Sequence, residues 1–312
     1  MGFDGRLAAA PISWGVCEVP GWGLQLSPDR VLAEMAALGL EATELGPTGY
    51  LPTDPHALRE LLESYGLELV AGFVPVILHD PAAREATLAT ATASARTLAA
   101  GGAEVFVSAV VTDADWAPRI RLDAAGWRHL VDMLARLDEL AAEHGLAHAL
   151  HPHVGTLVET AEDVRRVLDS SDVGWCMDTG HLMIGGTDPT GFAEDAGARV
   201  RHVHLKDVRA EVAARLGAGD VSLVQATREG LFCPLGQGDA RVADTLAALR
   251  RSGYAGWYVL EQDAALTGPE PPVGSGPVDD VRASVDHLRS SSGDSSVGEQ
   301  PARTPDGAPS HR

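Results

Sequence analysis

The sequence predicts a (β/α)8 TIM barrel of the α/β class, and three observations carry that expectation. Short apolar runs of strand type alternate eight times with longer helical stretches rich in Ala, Leu, Glu and Arg. Each unit takes roughly 30 to 40 residues, the size of one strand–helix repeat in such a barrel. The chain of 312 residues also suits one domain of this kind. An open, doubly wound sheet is the structural alternative, and the count of eight favours closure.

The first strand is read at 7–13 (LAAAPIS) and leads to a helix over 28–39, where Ser27-Pro28 sets a cap before a first-turn proline. The second, 42–45 (ATEL), leads through Asp54-Pro55 to a helix over 55–65, and the third, 69–76 (LVAGFVPV), through Asp80-Pro81 to 81–100. Strand four is 104–111 (EVFVSAVV). Its helix, 123–144, repeats Leu130, Met133, Leu134, Leu137, Leu140 and Ala141 at spacings of three and four, as one buried stripe requires. Strand five, 146–151 (LAHALH), precedes a helix over 160–169. Strand six, 173–177 (VGWCM), precedes 189–198, which opens at Asp188-Pro189. After strand seven, 200–205 (VRHVHL), residues 210–232 form a longer excursion toward the barrel mouth, followed by a helix over 239–252. Strand eight, 257–261 (WYVLE), and a helix over 277–289 complete the set. Gly39, Gly66 and Gly145 close helices at their C-terminal ends. From Ser290 onward the chain is Ser/Gly/Pro-rich without apolar periodicity, so residues 1–289 form the single domain and 290–312 read as a disordered tail.

Hydrophobic residues at 45% are enough for a sizeable core. The 44 acidic residues against 24 basic ones give a formal charge of -20. Such a surface repels phosphate backbones and anionic lipid, so nucleic-acid and membrane partners are not expected. Cys17, Cys176 and Cys233 lie far apart and match no CxxC pattern, which suits a reducing compartment. With no signal-peptide pattern at the start and no apolar run near 18 residues, a cytoplasmic location is expected. A homo-oligomer is compatible with all of this.

In a (β/α)8 barrel the active site forms at the C-terminal strand ends. Strand five ends in His151-Pro-His153, strand six in Asp178-Thr-Gly-His181, strand seven in His202-Val-His204-Leu-Lys206-Asp207 and strand eight in Glu261-Gln-Asp263. Imidazole and carboxylate are ligands for a divalent ion, Mn or Co with Mg, Fe or Zn as alternatives. Each motif alone has a plain structural reading. Asp178 could only cap the next helix, His202 and His204 share a strand face and could be core histidines, and Glu261 could be a surface carboxylate. Four consecutive strands offering such groups favour a site. Glu44 ends strand two and points toward the mouth or into a salt bridge. Trp14 and Trp22 could stack on a substrate ring or pack structurally. Leu235-Gly-Gln-Gly-Asp239 lacks a phosphate-cradle lysine and reads as a loop bordering the site, with Asp239 capping the helix that follows.

The succession HPHVGT, DTGHL, GTDP, RHVHLKDVR, PLGQGD and GWYVLEQD, after PISWG and EMAALGLEATELGPTGYLP, strongly resembles the inosose dehydratases over roughly residues 8–290. They belong to the xylose-isomerase-like sugar isomerase/epimerase superfamily of barrels. The resemblance implies a divalent ion held by strands five to eight, with Asp178, His204 and Glu261 at three positions. His151 stands where other superfamily members have Glu, and His153 or a water is the alternative for that corner. It further implies His181 and Arg209 as substrate contacts, and Glu44, His202 and Trp14 join them as candidates from their own positions in the sequence. The implied reaction removes water from a keto-inositol in inositol catabolism: a Lewis-acid ion acidifies the C–H next to a ketone, a base takes the proton, and the β-hydroxyl leaves. Glu261, His153 and Lys206 are the candidate bases, Lys206 through a pKa lowered by burial beside a cation, although Lys206 and Asp207 could also form an ion pair. Sugar (phosphate) isomerisation or epimerisation is the alternative on the same site. Phosphodiester hydrolysis is disfavoured by the net charge, and a non-enzymatic binding barrel by the ordered ligand set.

Overall fold

The computed structural model describes residues 3–290. Ser290 closes the last helix, and the remainder of the tail expected from sequence lies outside the described residues. The strands are β1 (Arg6–Ala9), β2 (Ala42–Glu44), β3 (Glu68–Val76), β4 (Val105–Val110), β5 (Ala147–Leu150), β6 (Trp175–Asp178) and β7 (Val200–Leu205), then the short β8 (Asp207–Val208) and β9 (Phe232–Cys233), and finally β10 (Trp257–Leu260). Eight of them form a closed parallel barrel in the order β1-β10-β7-β6-β5-β4-β3-β2. β8 and β9 make an antiparallel ribbon outside it.

The helices are α1 (Pro28–Ala37), α2 (Pro55–Tyr65), α3 (Arg84–Gly101), α4 (Ala124–Glu143), α5 (Ala161–Ser170), α6 (Thr179–Ile184), α7 (Pro189–Ala196), α8 (Ala210–Gly217), α9 (Leu223–Arg228), α10 (Val242–Arg251) and α11 (Pro277–Ser290). Strand alternation divides the core into two layers. Small residues such as Ala8, Ala42, Ala71 and Ala149 fill the barrel interior, whereas Leu7, Phe106 and Leu150 face the helices. The apolar stripe of α4 is buried in that outer layer, where truncating one Leu costs about 2–5 kcal/mol. A chain of hydrogen bonds from Ser108 through His148 to Asp138, 2.7 and 2.5 Å, ties β4, β5 and α4 together. Ser108 is fully buried and far too enclosed to act as a nucleophile.

Several boundaries depart from the sequence reading. The first strand stops at Ala9 because Pro11 starts a tight 3-10 turn, Pro11–Trp14, closed by Gly15 in the left-handed region. Asp54, Asp80 and Asp188 accept cap hydrogen bonds, but the Ser27 side chain makes none. Asp239 does not cap the seventh-unit helix. Arg241, with φ 52°, precedes α10, and Asp239 instead accepts from Ala210 N at 2.9 Å. The 210–232 excursion contains two helices with a small core of their own, formed by Val208, Val212, Val221, Ala226, Leu231 and Phe232. No helix among the described residues is long and apolar enough to cross a membrane.

Candidate metal centre and active site

Each barrel strand delivers its last residues to the same rim, so side chains distant in sequence meet there. One ligand atom each from His151, Asp178, His204 and Glu261 lies within 4.8 Å of the others. All four residues are buried. Asp178 divides its oxygens: Oδ1 accepts from His181 N at 2.7 Å and caps α6, while Oδ2 receives no hydrogen bond and lies 3.7 Å from both His151 Nε2 and His204 Nδ1. Cap and ligand readings of Asp178 are therefore compatible. Glu261 Oε2 lies 2.7 Å from His204 Nδ1. His151 Nδ1 donates to Pro152 O at 2.8 Å, which leaves Nε2 as a lone-pair donor toward the cluster. Two imidazole nitrogens and two carboxylate oxygens around one point, one oxygen without a partner, suit a divalent ion.

Beneath the cluster, Glu44 Oε1 accepts from His202 Nε2 at 2.7 Å and from His204 Nε2 at 2.9 Å. Burial opposes its ionisation, but the two imidazoles overcome that and hold Glu44 below the usual carboxylate range. His202 lies under this carboxylate and does not border the cavity, which does not suit a substrate contact; burial keeps its pKa low.

Lys206 emerges just beyond β7, and Thr179 clamps its backbone on both sides, with Oγ1 donating to Lys206 O at 2.7 Å and accepting from Lys206 N at 2.9 Å. A Cβ on Gly180 would stand 2.7 Å from Lys206 Cγ, so only glycine leaves the side chain its path. Nζ lies 2.7 Å from Asp263 Oδ1, 3.2 Å from Glu261 Oε2, 3.5 Å from Asp178 Oδ2 and 3.0 Å from His181 Nε2. Burial alone would lower its pKa, but Asp178, Asp263 and Glu261 raise it above the ordinary value. The surroundings of Lys206 therefore differ from those of the lysine base with a depressed pKa expected from sequence: three carboxylates face its ammonium. Lys206 forms no pair with Asp207. Asp207 accepts backbone N–H groups from Val208, Gly236, Gly238 and Ala240 at 2.8–3.0 Å and so holds the Leu235–Asp239 loop.

A cavity of about 820 Å³ opens above the cluster. Its walls include Trp22, Phe73 and Trp116, and its polar lining includes Glu18, Glu44, His153, Glu261 and Asp263. His153 Nδ1 donates to Val154 O at 2.8 Å, and its ring stacks on His181 with centroids 3.8 Å apart. Burial, together with His151 and Lys206, depresses the His153 pKa to about 3. Burial likewise raises Asp263 to about 6 against the pull of Lys206. His181 stays behind His153, with a pKa pushed well down by burial and by His153. Ser222, Leu223 and Val224 bring the excursion to the cavity wall, and Arg228 Nη2 donates to Gly21 O at 2.8 Å and Trp22 O at 2.9 Å across the mouth.

Besides His202 and His181, two further substrate contacts expected from sequence lie off the cavity. Trp14 is fully buried and donates from Nε1 to Glu34 Oε2 at 2.8 Å, because the 3-10 turn points its ring at α1. Arg209 braces the excursion by donating to Gly230 O at 2.6 Å and does not line the cavity. Trp22 occupies the mouth instead, its Nε1 donating to Ala264 O at 2.7 Å. Asp263 and Glu18 were not singled out as site residues by the sequence. Asp263 had a usable signal, since it shares strand parity with Glu261.

The barrel and its rim define a single-domain α/β fold with a metal-type cluster at the C-terminal strand ends. The chain belongs to the xylose isomerase-like TIM barrel family, whose model matches residues 32–291. It is 35% identical over 278 residues to an inosose dehydratase of Geobacillus kaustophilus (strain HTA426), covering 85% of this chain and 90% of that one. Among solved structures it is similar to an IOLI protein with a binding zinc atom, at TM-score 0.70 and 15% identity over 92% of this chain and 99% of that one. It is also similar to the probable 3-DHS dehydratase AsbF from Bacillus anthracis, at TM-score 0.67 and 16% identity over 91% and 98%.

Proposed function

We propose that this chain is a hydro-lyase that removes water from a keto-inositol of the inosose class, with a divalent ion held by His151, Asp178, His204 and Glu261. The observation that carries the reading is the pairing of this cluster with a cavity whose lining contains four carboxylates and, among the described residues, no lysine or arginine. A phosphate ester would find no cationic partner there, whereas a neutral polyol can donate its hydroxyl hydrogens to those carboxylates. The inosose dehydratase relatives support elimination as the outcome. The zinc of the IOLI protein supports a divalent ion, for which Mn or Co is our choice.

When bound, the ion would polarise the ketone and acidify the neighbouring C–H. His153 is the base that position favours, acting once the loaded site offsets the burial that holds its pKa near 3. Its Nδ1–H is committed to Val154 O, so Nε2 carries the lone pair, and the residue borders the cavity. Lys206 does not border the cavity. It keeps Asp263 in place at 2.7 Å, and Asp263, with a pKa near 6, is the cavity-facing group suited to return a proton to the departing hydroxyl. Trp22, Phe73 and Trp116 limit water around the ring.

The test is turnover of an inosose by the metal-stripped chain before and after Mn or Co is restored. Growth of dione absorbance that depends on added ion is the expected result. Epimer formation without water loss would replace dehydration by the isomerase or epimerase reading, and full turnover in the stripped protein would remove the ion.

A further inference from the structure

We infer that Glu44 is a positioning residue that fixes the His204 tautomer, and that this carboxylate sets how tightly the site holds a divalent ion; the inference rests on the ion site proposed above. Glu44 ends β2 on the far side of the barrel, 160 residues from His204, yet its Oε1 lies 2.9 Å from His204 Nε2. A neutral imidazole has one N–H and one lone pair. Nδ1 is the atom that faces Asp178, Glu261 and His151; when an ion replaces the proton there, the one N–H left to the ring is on Nε2, committed to Glu44, and the lone pair is on Nδ1. The alternative tautomer would put a hydrogen where a cation belongs.

His202 corroborates the assignment. Its Nε2 meets the same Glu44 oxygen at 2.7 Å, while its Nδ1 is buried with no hydrogen-bond partner, as a bare lone pair would be. One carboxylate oxygen thus receives two N–H donors, and the second imidazole holds that carboxylate against rotation. All three groups are at most 3% exposed. In buried surroundings a carboxylate acceptor also makes the opposite ring nitrogen a better donor to a metal.

The experiment is calorimetric titration of Mn into metal-stripped full-length protein, with the melting temperature of the stripped protein recorded in parallel. Glu44→Gln is expected to weaken Mn binding about 10- to 100-fold, with Glu44→Asp recovering part of the loss and the metal-free melting temperature changing little. Unchanged Mn affinity in Glu44→Gln, while Asp178→Asn abolishes binding, would overturn the Glu44 role and leave the ion site intact. Unchanged affinity in Asp178→Asn would remove the ion site and this inference with it. Should Glu44→Gln fail to fold, two-bond 1H–15N couplings in the zinc-loaded wild type decide the matter. A proton on Nε2 of His204 is expected, and a proton on Nδ1 overturns the assignment.

Discussion

The Nζ of Lys206 lies 2.7 Å from Asp263 Oδ1, and both residues are almost completely buried. Glu261 and Asp178 complete a carboxylate shell around the same ammonium. The lysine therefore neutralises part of a concentration of negative charge that the barrel rim could not otherwise bury. Lys206→Met should destabilise the metal-free protein by about 3–5 kcal/mol, because it leaves those carboxylates uncompensated. Added Mn should restore much of the loss. Thermal melts with and without ion check this, and equal melting temperatures for wild type and variant in chelator would refute it.

Arg228 reaches from α9 to two carbonyls of the loop that bears Trp22. Arg228→Ala should free that loop and raise KM for the substrate roughly fivefold, from about 1 kcal/mol of lost hydrogen bonding. Mn affinity should stay at the wild-type value, since Arg228 touches none of the ion-site residues. A steady-state KM–kcat comparison alongside Mn titration reads both quantities.

Asp163 joins a capping box at the start of α5, accepting from Thr160 N at 2.9 Å, and pairs with Arg119 at 2.6 Å. Burial opposes ionisation, but Thr160 and Arg119 hold its pKa below the ordinary value. A folded pKa below the unfolded one contributes stability above the unfolded carboxylate value of about 3.9, and that contribution fades as pH falls through the folded value. Asp163→Asn should cost about 1 kcal/mol, or roughly 2–4 °C, at pH 7. The gap between variant and wild type should close progressively below about pH 4. Melts from pH 3 to 8 provide the measurement, and a constant gap would contradict it.

The barrel and much of its rim were legible because strand periodicity and strand-end chemistry are local signals. His151, Asp178, His204 and Glu261 each follow an apolar run, so their meeting needed only closure of the sheet. What escaped depends on direction or distance. Trp14 was misdirected because nothing in PISW says which way a 3-10 turn aims its ring. Helix α6 was absorbed into the DTGH motif because six residues are too few for periodicity to register. The Glu44 bridge to His202 and His204 spans 158 and 160 residues and has no sequence signature at all. Lys206 and Asp207 could have been separated by parity alone, since neighbours beside a strand point to opposite sides.

The excursion after β7 roofs the barrel rim. Its small apolar core of Val208, Val212, Val221, Ala226, Leu231 and Phe232 packs largely on itself and on the partly buried Met183 and Ile184 of α6. The ion-type residues belong to the barrel rim and to none of that core. Phe232 joins this core to the rim, its ring 4.9 Å from Lys206 Nζ and 5.9 Å from that of His181, so the roof bears on the ion-type residues through that ring.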